Sequence, residues 1–178
     1  MNHAITAAET LARRAHAGQQ RDDIGDPYIV HPERVSARLA RRFPDDAALI
    51  AAGWCHDVLE DCPQITVEEL RAAIGDQALA IVREVTNPSK QHPELPRAER
   101  KAMDRAHLAH ISRQARCLKL ADRADNLRDG CACPDKEWLA TYVRESRLFA
   151  EVLRGTDAEL EAELTQALAA AARVAGIT

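Results

Sequence analysis

One imidazole and three carboxylates fall within six residues, His56-Asp57-Val58-Leu59-Glu60-Asp61. These are side chains that bind metals or move protons. Their neighbours are small or apolar: Ala51, Ala52, Trp54, Cys55, Val58 and Leu59. The run Ala47–Leu59 predicts a buried stretch of helix, within a helix expected over Asp45–Asp61. Residues four apart share a helix face, so His56 is expected over Glu60 and Asp57 over Asp61. Three unpaired carboxylates in such a place repel one another and resist desolvation. A bound cation resolves both problems. The alternative is a solvated face carrying ordinary charges.

A first-row divalent metal held by two His and two Asp needs groups that converge in space rather than in sequence. His31, His56, Asp57 and Asp122 can do this if three helices pack side by side. Taken singly, His31 also reads as a structural side chain at a helix entry, and Asp122 as a surface acid paired to Lys119 or Arg123. A mixed set rich in oxygen suits Mn²⁺ or a similar cation. Such a metal lowers the pKa of bound water and stabilises charge on a phosphoryl oxygen. A carboxylate beside it can accept the proton. Lys90, Arg97 and Lys101 can grip further phosphates, or simply face solvent.

The elements that must position these groups are helical. Apolar residues make up 46% of the 178 residues but aromatics only 3%, so Ala and Leu with Glu and Arg between them dominate, which favours helix. No stretch alternates as a half-buried strand would. The expectation is an all-α protein, one domain over residues 1–178. Helices are expected over Ile5–Ala17, Pro32–Arg42, Asp45–Asp61, a short one capped by Thr66 with Glu69 as a capping box and ended by Gly75, then Asp76–Val85, Arg97–Ser112, Ala115–Asp129, Asp135–Arg154 and Asp157–Ala175. The last two form an antiparallel pair turning at Gly155. Gln19–Tyr28 is a polar loop. Asn87–Pro96, with three prolines, is the longest irregular stretch and a candidate flexible loop over a site.

A net charge of −4 argues against general nucleic-acid binding. Eight Lys/Arg against three Asp/Glu between Arg97 and Arg123 suit a small anionic ligand, or balance the acids of Asp135–Glu163. The five cysteines include no pair of Cys-x-x-Cys units, so a structural zinc site is not expected, and reduced thiols in a cytoplasmic protein are. The opening Met1-Asn2-His3-Ala4 leads straight into an amphipathic helix, so neither a signal peptide nor a membrane span is expected.

Three motifs in order, Tyr28-Ile29-Val30-His31-Pro32, His56-Asp57-Val58-Leu59-Glu60-Asp61 and Lys119-Leu120-Ala121-Asp122-Arg123 with Asn126, resemble the HD-domain hydrolases of guanosine tetra- and pentaphosphate. The similarity is closest to the small, single-domain members and runs from about Ala15 to Arg128. Gly75 and Glu84-Val85-Thr86 also match. The resemblance implies an HD-domain bundle of about eight to ten helices without the synthetase domain of the bifunctional enzymes. It implies one metal, usually manganese, on His31, His56, Asp57 and Asp122. Glu60 and Asp61 would position and deprotonate the attacking water, Arg21 would pack on the nucleobase and Asn126 would touch the sugar. The substrate implied is a small-molecule nucleotide, with removal of the 3′-pyrophosphate from (p)ppGpp. The chain departs from the family where Asp22-Asp23 follow Arg21, where Cys62 replaces the usual Thr, and where Ala124-Asp125 replace an aliphatic-His pair. Asp22 and Asp23 favour an alternative with the same ligands, an NADPH 2′-phosphatase or another nucleotide phosphatase. The presence of both Glu60 and Asp61 speaks against a third reading, a non-catalytic alarmone sensor.

Overall fold

The computed structural model describes residues 3–21 and 25–177. Among them it shows nine α-helices, one short 3₁₀ turn and no strand. They are α1 (His3–Ala15), α2 (Val30–Arg42), α3 (Ala47–Cys55), α4 (Val58–Asp61), α5 (Val67–Val85), α6 (Arg97–Leu108), α7 (Arg113–Gly130), α8 (Lys136–Leu153) and α9 (Ala158–Ala175), with the 3₁₀ turn at Pro88–Gln91. The all-α expectation holds. No helix here is long and apolar enough to cross a membrane.

Short polar side chains start the helices. Asp46, Thr66, Ser112, Asp135 and Asp157 each accept a hydrogen bond from the backbone N–H three residues on. Only half of the expected capping box forms, because the Glu69 carboxylate turns to Arg14 instead. Gly75 takes a left-handed conformation (φ 78°) and kinks α5 where the sequence places a helix end.

Two helices lie at the centre. α3 packs on α1, α2, α5 and α7, and α7 packs on α2, α3, α5, α8 and α9. Every residue of α3 from Leu49 to Cys55 is buried. Few aromatics are needed because Leu and Ala fill the space between closely packed helices, with Leu39, Leu49, Leu70, Leu118 and Leu127 at its heart.

α2 and α3 meet closely at Gly53. A Cβ added there would sit 2.9 Å from Leu39 Cδ1 and 3.0 Å from the Cα of Ser36. The second contact is to backbone and cannot swing aside. The Ser36 hydroxyl donates to the carbonyl of Ile50 at 2.9 Å, closing the same seam. This seam sets the separation of His31 at the start of α2 from His56 just after α3. Gly53→Ala is therefore expected to push the helices apart and to destabilise the fold by about 1–3 kcal/mol. Urea unfolding of the variant beside the wild type, with divalent-cation affinity measured in parallel, checks this; both should fall.

Candidate metal centre

The sequence predicts one helix through both halves of the central motif. The structure breaks it: α3 ends at Cys55, His56 and Asp57 form a turn, and α4 begins at Val58. Asp57 sits at φ −95°, ψ −5°, outside ideal helix geometry. Both residues stay in the right-handed helical region of φ/ψ, so the interruption tightens the chain locally without turning it away. With the break, His56 Nε2 lies 3.2 Å from Asp57 Oδ2. The expected stacking of His56 over Glu60 on one helix face is not what joins these residues.

α2 and α7 bring the other two groups. His31 Nε2 is 3.2 Å from His56 Nε2, 3.3 Å from Asp122 Oδ1 and 3.6 Å from Asp57 Oδ2, and His56 Nε2 is 3.8 Å from Asp122 Oδ1. His31, His56 and Asp122 thus converge on one point, and Asp57 lies beside it against both imidazoles. Both imidazoles are almost fully buried, and Asp122 is only 8% exposed, so it is not a surface acid. Each ring uses its other nitrogen elsewhere: His31 Nδ1 faces Asp125 Oδ2 at 2.8 Å and His56 Nδ1 faces the carbonyl of Gly53 at 2.9 Å. Both acceptors call for an Nδ1–H, which leaves both Nε2 lone pairs directed at the shared point.

Burial opposes a charge on His56, but Asp57 and Asp122 prevail and its pKa is pushed up to about 9. His31 is also raised: burial works against its proton, and the hydrogen bonds to Asp122 and Asp125 outweigh it. Burial likewise opposes ionisation of Asp57 and Asp122, yet both stay below the usual carboxylate range, Asp57 through the two imidazoles and Asp122 through Lys119 and the same rings. Four groups that must borrow protons to balance their charge fit a divalent cation, which balances it outright.

The next turn carries the remaining acids. Glu60 Oε1 accepts from the backbone N–H of Asn87 at 2.7 Å and from its side chain at 3.1 Å, while Oε2 lies 3.2 Å from Lys90 Nζ. Burial pushes the Glu60 carboxyl upward despite the nearby Lys119 and Lys90. Asp61 Oδ1 receives Lys90 at 3.1 Å, and its Oδ2 receives the Tyr28 hydroxyl at 3.2 Å. Tyr28 also lies 2.7 Å from Asp57 Oδ2. Asn87–Pro96, expected as a loop over the site, therefore contains a 3₁₀ turn and is tied down by Glu60, Asp61 and the Ser89–Asp104 hydrogen bond.

Arg21 stacks over Tyr28 (5.4 Å to the ring centroid), donates to Asn126 Oδ1 at 2.7 Å and pairs with Asp129 at 3.1 Å. Asn126 in turn donates to Asp122 Oδ1. Asp22 and Asp23 lie outside the described residues. Arg97 and Lys101 are not brought to the cluster by any contact among the described residues. Arg97 forms a fork with Glu145 at 2.7 and 2.9 Å, and Lys101 lies 3.7 Å from Asp104. Tyr28, Arg34, Asn87, Lys119 and Asp125 complete the surroundings; Lys119 lies 3.6 Å from Asp122, the partner that sequence reasoning offers it, while Arg34, Asn87 and Asp125 have no role there. Their only signal was spacing: Asp125 is three residues from Asp122 and Arg34 three from His31, one helix turn in each case.

Residues 8–154 match the HD domain family. The chain belongs to that family. Its relatives include the guanosine-3′,5′-bis(diphosphate) 3′-pyrophosphohydrolases MESH1 of Danio rerio, 38% identical over 93% of this chain and 95% of the relative, and of Homo sapiens, 33% identical over 90% and 89%. A solved structure described as a metazoan ortholog of SpoT that hydrolyzes ppGpp superposes with a TM-score of 0.83 at 29% identity, covering 94% of both chains. The HD-domain bundle and a divalent-metal centre in a His/Asp cluster are thus common ground between sequence, geometry and family.

A cation must displace the imidazole protons, so uptake releases protons and weakens as pH falls below about 9. His56, raised from its ordinary 6.5, stabilises the cation-free fold fully below pH 6.5 and ceases to do so as pH rises through about 9. The melting temperature in chelator is therefore expected to fall across this window, and added divalent cation to restore it most at the alkaline end. Differential scanning calorimetry at pH 6, 7.5 and 9 reads the effect.

Proposed function

We propose that this chain is a divalent-metal-dependent phosphohydrolase that removes the 3′-pyrophosphate of guanosine tetra- and pentaphosphate, yielding GDP or GTP and pyrophosphate. The observation that carries it is the convergence of His31, His56 and Asp122 on one buried point, with Asp57 against both imidazoles and Glu60 and Asp61 on the adjoining turn. The names of the relatives supply the substrate. The whole of 1–178 is read as one HD-type domain, supported by a single core cluster that draws on α1 through α9.

His31, His56, Asp57 and Asp122 are the ligand set, and Mn²⁺ is the cation we assign to it. When bound, the cation supplies charge stabilisation at the phosphoryl oxygens and acidifies water. Glu60 is the general base: burial has raised its pKa toward neutrality, where a base works best. Asp61, steadied by Tyr28 and Lys90, orients the water. Water oxygen joins the phosphorus next to the 3′ oxygen, the bond to that oxygen breaks, and the proton held by Glu60 is available to the leaving 3′ oxygen. Lys90 lies beside both acids and is placed to meet a phosphate entering from solvent. Arg97 and Lys101 are assigned to outlying phosphates only in so far as Arg97 can leave Glu145. Arg21 offers its guanidinium to a purine and Asn126 its amide to the sugar.

Purified protein with Mn²⁺ is expected to release pyrophosphate from ppGpp and pppGpp. Phosphate released from NADPH alone, in a panel with dNTPs, would instead assign the same site to a 2′-phosphatase, the reading that Asp22 and Asp23 favour. Glu60→Gln should lower kcat roughly 10²–10⁴-fold while Mn²⁺ stays bound. Arg21→Ala and Asn126→Ala should raise KM, Asn126→Ala with some loss of cation affinity because its amide holds Asp122; unchanged nucleotide affinity in both would place the nucleoside pocket elsewhere.

A further inference from the structure

Asp125 is outside the converging set yet touches it. It lies one turn beyond Asp122 on α7, is 1% exposed, and its Oδ2 sits 2.8 Å from His31 Nδ1. Arg34 grips it from the other side: Nε lies 3.0 and 3.1 Å from the two carboxylate oxygens and Nη2 lies 2.9 Å from Oδ2. Arg38 Nη1 is 3.6 Å away. Arg34 also donates to Asp129, which pairs with Arg21. A chain of charged contacts thus runs Arg21–Asp129–Arg34–Asp125–His31. The second imidazole is supported differently. Among the described residues, His56 Nδ1 meets the backbone carbonyl of Gly53 and no carboxylate. A buried carboxylate between two arginines adds little to helix packing that apolar side chains would not. Placed on the far nitrogen of a ligand imidazole, it fixes the tautomer, aims the ring and makes the near nitrogen a stronger donor.

We propose that Asp125 is a positioning residue that holds His31 as its Nδ1–H tautomer and so sets the cation affinity of the site, with Arg34 anchoring Asp125. The assignment rests on His31 being a ligand. Asp125 does not touch substrate. Its loss acts on the cation first and on turnover only through it.

Metal-stripped wild type, Asp125→Asn, Asp125→Ala and His31→Ala are titrated with Mn²⁺ by calorimetry, and kcat and KM are measured at limiting and excess Mn²⁺. Both Asp125 variants should bind Mn²⁺ roughly 10–100-fold more weakly. Their kcat should recover toward wild type in excess Mn²⁺, with KM for the nucleotide unchanged. A merely structural residue would lower the melting temperature in chelator and leave the Mn²⁺ affinity of the folded protein alone. Asp125→Asn keeps the shape and removes the charge that strengthens His31 as a donor, so it carries the test should Asp125→Ala fail to fold. Wild-type Mn²⁺ affinity in Asp125→Asn, with binding lost in His31→Ala, overturns the proposal. Retention of Mn²⁺ by His31→Ala would instead remove His31 from the ligand set, and the role of Asp125 with it.

Discussion

Two imidazoles and two carboxylates share one buried point, and the packing of this protein is arranged to make that possible. Asp57 and Asp122 are like charges in a largely buried place, where positive charge between them eases their repulsion. The imidazole protons can provide it, and a divalent cation provides it better. Meeting at that point demands that α2, α3 and α7 lie in contact. The absence of a side chain at Gly53 and the Ser36–Ile50 hydrogen bond secure the first pair. Arg38, which donates to the carbonyl of Ala121 next to Asp122, secures α2 against α7.

Around this point the charges fall into layers. On one side, arginines of α2 and the loop before it alternate with the acids of α7: Asp125 with Arg34, Asp129 with Arg34 and Arg21. Spacing of three and four residues places Asp122, Asp125, Asn126 and Asp129 along one stripe of α7. The Asp125 carboxyl is opposed by burial but held down at about 2 by its hydrogen bonds to His31 and Arg34. On the other side, Glu60 is enclosed with Asn87 and drifts upward. The two environments push the Asp125 and Glu60 carboxyls in opposite directions, which is how a site obtains two behaviours from one kind of group.

Much of this was legible in the chain. Helix content followed from composition, and the ends at Gly75, Thr66, Gly155 and Asp157 followed from turn and cap chemistry. The six-residue motif exposed its own chemistry because three acids in an apolar run need positive charge to coexist. Less legible were features in which two distant segments compete for one side chain. Glu69 reads as a capping residue but turns to Arg14. Arg97 reads as a free cation for phosphate but meets Glu145, 48 positions away. Lys90 reads as one basic residue among several, and only the 3₁₀ turn after Asn87 carries it to Glu60 and Asp61.

The sequence by itself determined which elements form and which residue types are available, since helix periodicity, caps and residue chemistry act over a few positions. Tertiary structure alone decided where the helix through the motif breaks. A continuous helix satisfies the local pattern equally well, and the interruption falls where His56 and Asp57 meet His31 and Asp122 from other helices. It also decided that Asp125 faces His31 rather than solvent. His31, His56 and the pair Asp122 and Asp125 are separated by tens of positions, and their meeting depends on how α2, α3 and α7 pack, which no window of local sequence contains.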